Sequence, residues 1–349
     1  DSIKPGLKYR HIVSNLTEES FRDSIDFIPE KIFFNADADL AKLLVAPLYG
    51  DNPTYGVREL IQNAIDAINE RKLLDKHNPN FEELISVNIL HDSEEKYYFE
   101  IIDSGKGMSV YELANYFLKA GATNRKSKEW DQFFIGEDGK NKVLKTGKFG
   151  VGILAAFLIG DEIEVSTRRY DSSSGLSLRA NINSKDIEIK KIKDCQIGTR
   201  LKIFIRKEAL FFFKVPSSHL IPWDKWYTSK YPVIRYNCVL GYQFGNLGYE
   251  EFEPGFDEEN DLWINFKSHG YTKLRWSYES VKFKYAGDYQ LTCNGLILPS
   301  PPPLLAGSIP VPNIQVFDFN GIFPISLNRN NLDSHKLPFE TDLINSVFT

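Results

Sequence analysis

Residues 55–74 read YGVRELIQNAIDAINERKLL and carry the most regular apolar pattern in the chain. At about 100° per residue, one side of a helix collects the apolar residues Val57, Leu60, Ile61, Ala64, Ile65 and Ile68. The opposite side collects the polar residues Glu59, Asn63, Asp66 and Glu70. The sequence therefore predicts an amphipathic helix from Tyr55 to Leu74, with Thr54 as its N-cap.

The polar side of this helix has two interpretations. A half-buried helix usually turns its charged face to solvent, and these residues would then be surface groups. Alternatively they line a site, because the Asn63 oxygen can bind Mg²⁺ and the Glu59 carboxylate can take a proton from water. The helical pattern alone leaves both interpretations open.

Two glycine-bearing turns follow further along the chain. Residues 103–108, DSGKGM, come directly after a predicted strand, Lys96–Ile102. An Asp at a strand end can accept a hydrogen bond from an exocyclic amine, and the glycines let a flat ring approach the backbone. Residues 147–152, GKFGVG, lead into an apolar segment, Val151–Ile159, which we predict to be helical. Glycine turns at a helix N-terminus favour phosphate binding.

Each of these turns also has a purely structural interpretation, because glycines occur in ordinary connections. The 147–152 turn is neither a Rossmann fingerprint nor a P-loop, since no βαβ unit surrounds it and no Gly-Lys-Ser/Thr follows. A further pair, Gly198-Thr199, precedes a predicted strand, Arg200–Ile205, and is by itself only a turn signal.

Taken in order, these motifs resemble a family signature. E-x-x-x-N, D-x-G-x-G-M, G-x-x-G-x-G and a late G-T are similar to the motifs of the GHKL (gyrase, heat-shock chaperone, histidine kinase, MutL) ATPases, which have the Bergerat nucleotide fold. Residues 58–67, RELIQNAIDA, and 147–152 look more specifically like the heat-shock protein 90 family. Residues 34–37, FNAD, resemble that family's opening strand and first helix, so the likeness covers roughly residues 33–205.

The resemblance implies an α+β fold in two parts. The first is a Bergerat-type sandwich, a mostly antiparallel sheet covered by helices, and the second is a β-rich α/β domain of the transducer type. We expect an N-terminal extension at 1–32, the ATP-binding domain at 33–210 with a lid at about 109–147, and the middle or transducer-like domain at 211–349.

The resemblance also implies ATP and Mg²⁺ as ligands and gives roles to individual residues. Glu59 would activate the attacking water, oriented by Arg58, and Asn63 would hold the metal on the phosphates. Asp103 would accept from the adenine amine, with Thr199 assisting through water. The further nucleotide contacts implied are Asp66, then Gly107 and Met108 around the base, and Gly147, Phe149, Gly150, Val151 and Gly152 around the phosphates.

A shorter likeness lies near the C-terminus. Residues 324–329, PISLNR, look like the P-L-N-x-S-R loop of the chaperone's middle domain, whose arginine reaches the γ-phosphate. Arg329 would then supply charge in the transition state, as arginine fingers do. The sequence departs from that loop at Asn330, where the family has Glu, and at Asp333, where it usually has Gln. The alternative is a surface arginine after a strand.

Composition limits the partners. Among 349 residues, 42 Lys and Arg face 47 Asp and Glu, a net charge of −5, so nucleic acid is not indicated. Cys195, Cys238 and Cys293 lie far apart, which excludes a disulfide scaffold and favours a reducing compartment. We expect a cytoplasmic protein without a membrane partner. Met108 is the only methionine, so the chain as given is expected to be processed or trimmed.

The leading functional hypothesis is a Mg-dependent, chaperone-like ATPase that works as a conformational switch. ATP would close the lid and pair two N-terminal domains in a homodimer, Arg329 would insert, and hydrolysis would reset the protein, acting on a client or partner subunit. Two alternatives remain open: a GHKL module of a larger defence or DNA-linked machine, and an ATP sensor without turnover. Glu59 argues against the sensor, which needs no water-activating base.

Overall fold

Two β-sheets organise the part of the chain that the structure describes. The computed structural model describes residues 15, 18–32, 49–76, 78, 80–92, 96–117, 128–137, 141–144, 152–181, 187–214, 221–229, 231–240, 250–251, 262–271, 273–278, 290–299, 311–326, 329–334 and 336–349. One sheet has nine strands and the other has five.

The strands and helices have the following bounds. The nine-stranded sheet contains β1 (Phe27–Ile32), β2 (Leu84–His91), β3 (Tyr97–Asp103), β4 (Glu162–Arg168), β5 (Gly175–Asn181), β6 (Ile187–Ile192), β7 (Gly198–Phe204), β8 (Val233–Cys238) and β9 (Glu250–Glu251). The five-stranded sheet contains β10 (Ile264–Phe266), β11 (Lys273–Ser277), β12 (Leu291–Cys293), β13 (Leu296–Ile297) and β14 (Asn313–Phe317). The helices are α1 (Glu19–Ser24), α2 (Thr54–Leu74), α3 (Val110–Glu112), α4 (Lys128–Phe134), α5 (Lys207–Lys214) and α6 (Glu340–Phe348).

Both sheets are mostly antiparallel. The nine strands follow the order β1-β6-β5-β4-β7-β3-β2-β8-β9, and within it only β2 and β8 pair in parallel. The five strands follow the order β10-β11-β14-β12-β13, with β12 and β14 parallel. An antiparallel sheet with helices packed on it, followed by a second sheet, confirms the expected α+β class.

Helix α2 packs in the main core and is buried almost all round. Its apolar side contacts the sheet, where Val57, Ile61 and Ile68 share one cluster with residues of β2 and β3. Its other side lies against a 3₁₀ segment, Gly152–Leu158, so closely that a Cβ on Gly56 would stand 2.4 Å from the Ala155 carbonyl oxygen. The polar residues of α2 therefore meet protein rather than solvent along most of the helix.

Two local expectations need correction. Thr54 is the first helical residue rather than the N-cap, because the Asn52 side chain already accepts from its N–H at 3.0 Å. The segment predicted as a helix at Val151–Ile159 is the 3₁₀ segment. After Ser109 the chain forms α3, which begins with a capping box between Ser109 and Glu112 and continues into a π-helical turn, Leu113–Phe117. Residues 34–37, which resemble the family's opening strand and first helix, lie outside the described residues.

The nine-stranded sheet extends on both sides of the predicted 33–210 range. β1 precedes that range, and β8 and β9 follow it. β8 runs parallel to β2 from the Leu84–Val233 pair to the Ile89–Cys238 pair, so it is an integral strand. We therefore propose that the first domain ends between β9 and β10 rather than near residue 210.

β13 connects the two sheets. It belongs to the five-stranded sheet, yet Leu296 and Ile297 pack in the core cluster of the first sheet. The remaining strands of the second sheet enclose a separate core that includes Phe323 and Phe339. Within the described ranges, no helix is both long and apolar enough to cross a membrane.

We expect Gly198→Ala to destabilise the fold far more than Gly50→Ala. Both glycines have positive φ, +119° and +63°, but a Cβ on Gly198 would stand 2.0 Å from the Asp103 carbonyl oxygen, whereas none of the described atoms lies within 4 Å of one on Gly50. The free energy of unfolding should fall by about 3 kcal/mol at Gly198 and about 1 kcal/mol at Gly50. Urea unfolding of the two variants measures this, and equal losses would contradict the close approach.

Candidate functional site

The Glu59 carboxylate lies between two guanidinium groups. Its Oε1 accepts from Nη2 of Arg58 at 3.1 Å, and its Oε2 accepts from Nη1 of Arg329 at 3.1 Å. All three side chains are largely buried, with 3 %, 1 % and 12 % exposed respectively. Burial by itself raises the pKa of Glu59, but the charges of Arg329 and Arg58 outweigh it and hold that pKa below its ordinary value.

Arg58 joins three separate segments. Besides Glu59, its Nη1 donates to Oδ1 of Asn330 at 3.0 Å and to the Arg329 carbonyl at 3.3 Å. The rings of Tyr55 and Trp226 lie 4.9 and 5.1 Å from its Cζ, within cation–π distance. Burial lowers the pKa of Arg58, and the Glu59 carboxylate opposes that shift.

Arg329 reaches α2 from a tight turn. Ile325 and Leu332 form a bridge, the Arg329 N–H donates to the Ser326 carbonyl at 2.8 Å, and Arg329 itself has φ of +53°. Few residues other than glycine adopt this conformation, so the turn fixes the direction of the side chain at some cost in strain. The alternative of an exposed surface arginine does not fit this placement. Asn330, where the loop departs from the family, is the residue that accepts from Arg58.

Asn63 lies one turn after Glu59 and is exposed. A Cβ on Gly152 would stand 3.3 Å from Nδ2 of Asn63 and 3.4 Å from Oε2 of Glu59. The end of the predicted phosphate turn therefore adjoins both side chains. Gly147, Phe149, Gly150 and Val151 lie outside the described residues.

The residues present at this point fit a hard cation. The described structure gives the Asn63 amide no hydrogen-bond partner, and an amide oxygen is a ligand that Mg²⁺ accepts together with water and phosphate. No cluster of three or more His, Cys, Asp or Glu that could hold a metal occurs within the described ranges.

Asp103 ends β3 at a buried position where desolvation outweighs the charge of Arg71. Its Oδ1 accepts from the Gly105 N–H at 2.8 Å, and the side chain is buried. Burial raises the pKa of Asp103 to about 7, opposed by hydrogen bonds from the Gly105 and Thr199 N–H groups and by the charge of Arg71. Thr199 is the β7 residue paired with Asp103.

Thr167 is a site residue that the sequence analysis missed. It is the penultimate residue of β4 and is fully buried. Its hydroxyl donates to the Gly198 carbonyl at 2.9 Å and lies 3.1 Å from the Thr199 hydroxyl. The same oxygen accepts from the Met108 N–H at 3.0 Å. The alternating pattern of β4 could have indicated it. Ile163 and Val165 are the buried positions of this strand, and Thr167 is the next position on the same face.

The 103–108 turn is wedged between α2 and the end of β4. Gly107 has φ of +68°, and a Cβ there would stand 2.0 Å from the Arg168 carbonyl oxygen. The Lys106 N–H donates to the Ala67 carbonyl on α2 at 3.1 Å. The buried Lys106 ammonium pairs with Glu70 at 3.1 Å and with Glu112 at 2.7 Å. Glu70 therefore forms an ion pair with the turn instead of facing solvent.

The structure brings most of the predicted site residues together along α2. Glu59, Arg58, Arg329, Asn63 and Gly152 meet near its N-terminal half, and Asp66 is buried one turn further on. The residues predicted to contact the base, Asp103, Gly107, Met108 and Thr199, lie around Thr167 at the strand ends. The interpretation of the polar side as a solvated face is wrong for Glu59, Asp66 and Glu70, which are 2 %, 3 % and 5 % exposed.

We expect Asp103→Asn to stabilise the protein at high pH. The folded pKa of about 7 exceeds the ordinary value of 3.8, so the folded state holds a proton that the unfolded state releases. The stability of the natural protein therefore falls as pH rises from about 4 to about 7, and a neutral amide at this position abolishes that loss. Unfolding midpoints at pH 8 and pH 5 measure it: the variant should gain most at pH 8, and an equal difference at both pH values would contradict the raised pKa.

Known families and proteins match the region just described. Residues 52–204 match the family described as histidine kinase-, DNA gyrase B- and HSP90-like ATPase. Chaperone protein HtpG of Borreliella afzelii (strain PKo) is 29 % identical over 264 residues, which cover 71 % of this chain and 40 % of that protein. The endoplasmin homolog of Caenorhabditis elegans is 31 % identical over 195 residues, which cover 53 % of this chain and 25 % of that protein.

A plant relative shows the same partial coverage. The mitochondrial heat shock protein 90-6 of Arabidopsis thaliana is 31 % identical over 193 residues, which are 52 % of this chain and 24 % of that protein. The chain thus spans less than half the length of each of these three relatives. Residues 52–204 therefore form a domain of the GHKL ATPase family, in a chain that is a divergent relative of heat-shock protein 90.

Proposed function

We propose that the protein binds Mg-ATP, hydrolyses it and couples hydrolysis to a conformational switch of the heat-shock-protein-90 type. The observation that supports this most is the Glu59 carboxylate, which lies beside Asn63 and Gly152 and in contact with Arg329. A proton acceptor, a metal ligand and a cation from a second domain are the parts that γ-phosphate hydrolysis needs in one place.

In this proposal Glu59 takes the proton of the attacking water. Two guanidinium groups make it a weak base in the arrangement described, because they hold its pKa low. Arg329 would turn toward the γ-phosphate of bound ATP, where its charge stabilises the transition state. The Glu59 carboxylate then keeps Arg58 as its orienting partner and becomes more basic. Asn63 would hold Mg²⁺, which offsets phosphate charge when bound.

The base end of the proposed site would recognise adenine. Asp103 accepts from the exocyclic amine, and that hydrogen bond favours its ionised form over the protonated one. Thr199 would assist through water, with Thr167 fixing its hydroxyl, while Gly107 and Met108 frame the ring. Asp66 remains a proposed nucleotide contact, as do the 147–151 residues under a closing lid.

The partners and the compartment are also proposals. One relative is named a chaperone, so we propose a protein client or partner subunit and an ATP-dependent homodimer. The cytoplasm is the proposed compartment, in keeping with the three free cysteines Cys195, Cys238 and Cys293. The alternative, a GHKL module of a larger machine, shares the same ATPase site and would differ in domains beyond the relatives' shared region.

We expect Glu59→Ala to separate binding from chemistry. The variant should bind Mg-ATP, since Asn63 and the glycine turns remain, and lose turnover by about 10²–10⁴-fold, the range for a general base. Calorimetry and steady-state ATPase assays measure the two effects. Glu70→Gln is the matched control, because it removes another buried carboxylate of α2 that pairs with Lys106, and its turnover should stay within about threefold. Near-normal turnover in Glu59→Ala would refute the proposal and support an ATP sensor.

We expect Arg329→Ala to lower turnover at least tenfold while ADP affinity stays within about twofold, because ADP lacks the γ-phosphate. Arg329→Lys should restore little, since an ammonium does not reproduce the planar fork. Removing one cation also raises the pKa of Glu59 in the nucleotide-free protein, so the acid limb of the pH profile of kcat/KM should move to higher pH. Turnover within twofold of the natural protein would show that Arg329 takes no part.

A further inference from the structure

Trp226 contacts the proposed catalytic centre from outside the ATPase motifs. It lies between α5 and β8 with 1 % of its surface exposed, and its ring is 5.1 Å from Cζ of Arg58. The Tyr55 ring lies 5.5 Å away, centroid to centroid, and 4.9 Å from the same Cζ. The two aromatic rings therefore lie side by side against the Arg58 guanidinium group, which also donates to Glu59.

The backbone of this segment is attached to the second sheet. The Trp226 carbonyl accepts from the Ile297 N–H at 3.1 Å, and the Thr228 N–H donates to the Gly295 carbonyl at 2.9 Å. Tyr227 and Leu296 complete an antiparallel bridge between these two segments. The segment that carries Trp226 is therefore hydrogen-bonded to β13, the strand that connects the two cores.

The ring is not held there by a polar contact of its own. In the described part of the chain, the buried indole N–H has no hydrogen-bond partner. A buried tryptophan usually finds one, and leaving it unpaired costs free energy. What the ring gains at this position is packing and the face-on contact with a desolvated cation, the setting in which cation–π contacts are strongest.

Arg58 needs such support because its side chain is long and its charge is buried. Hydrogen bonds to Glu59 and Asn330 fix the edge of the guanidinium group, but its faces are fixed only by what packs on them. We propose that Trp226 is a positioning residue that holds Arg58 against Glu59 and so makes hydrolysis depend on the second sheet. This inference rests on the proposed function and adds a residue to it.

The test compares Trp226→Leu, Trp226→Phe and Trp223→Leu in the full chain. Trp223 is the matched control, since it is equally buried in the same segment and packs on Phe213 and Tyr236. Trp226→Leu should lower kcat about tenfold with ADP affinity within twofold, the scale of a desolvated cation–π contact. Trp226→Phe keeps an aromatic face and should retain more than half of kcat. Trp223→Leu should lower the unfolding midpoint without changing kcat more than twofold.

A double-mutant cycle with Arg58→Ala completes the experiment. If Trp226 acts through Arg58, adding Trp226→Leu to Arg58→Ala should leave kcat unchanged, and the shifts in unfolding midpoint should be less than additive. Equal kcat losses in the Trp223 and Trp226 variants, or additive shifts in the midpoint, would overturn the inference. If the natural chain shows no turnover, the proposed function fails, while the unfolding cycle still decides whether Trp226 supports Arg58.

Discussion

A buried carboxylate held between two guanidinium groups is the constraint on which the site depends. An isolated charge in the interior is strongly disfavoured, and Glu59 stays ionised only because Arg58 and Arg329 both contact it. The first cation comes from the same helix and the second from a turn 270 residues away in sequence. Helix α2 and the turn that carries Arg329 must therefore both be in place before this group of charges is complete.

The pKa of Asp103, in the same domain, is shifted in the opposite direction to that of Glu59. Hydrogen bonds from two backbone N–H groups and the charge of Arg71 do not offset its burial, so its pKa rises to about 7, whereas that of Glu59 falls. Two carboxyl groups whose surroundings separate their pKa values are typical of sites in which acids have different tasks. In the proposed function, Glu59 handles a proton and Asp103 recognises an amine.

The sequence predicted α2 to within one residue, and β3 and β7 to within about two, because period and turn residues are local signals. It also predicted that Glu59, Asn63 and Arg329 belong together, through family resemblance. It did not predict the burial of Glu70, which depends on Lys106 folding back onto α2. Nor did it reveal the contact of Trp226 with Arg58 or the pairing of β8 with β2, since contacts between distant segments leave no local pattern.

The parallel pairing of β2 with β8 has a consequence for biosynthesis. Residues 84–89 of β2 find their partner at residues 233–238, so this side of β2 stays unpaired until about 150 more residues have left the ribosome. Chain closure over such separations is slow, and an unpaired strand edge attracts other chains meanwhile. The nascent domain thus passes through an interval of exposure to aggregation that ends only when β8 is added.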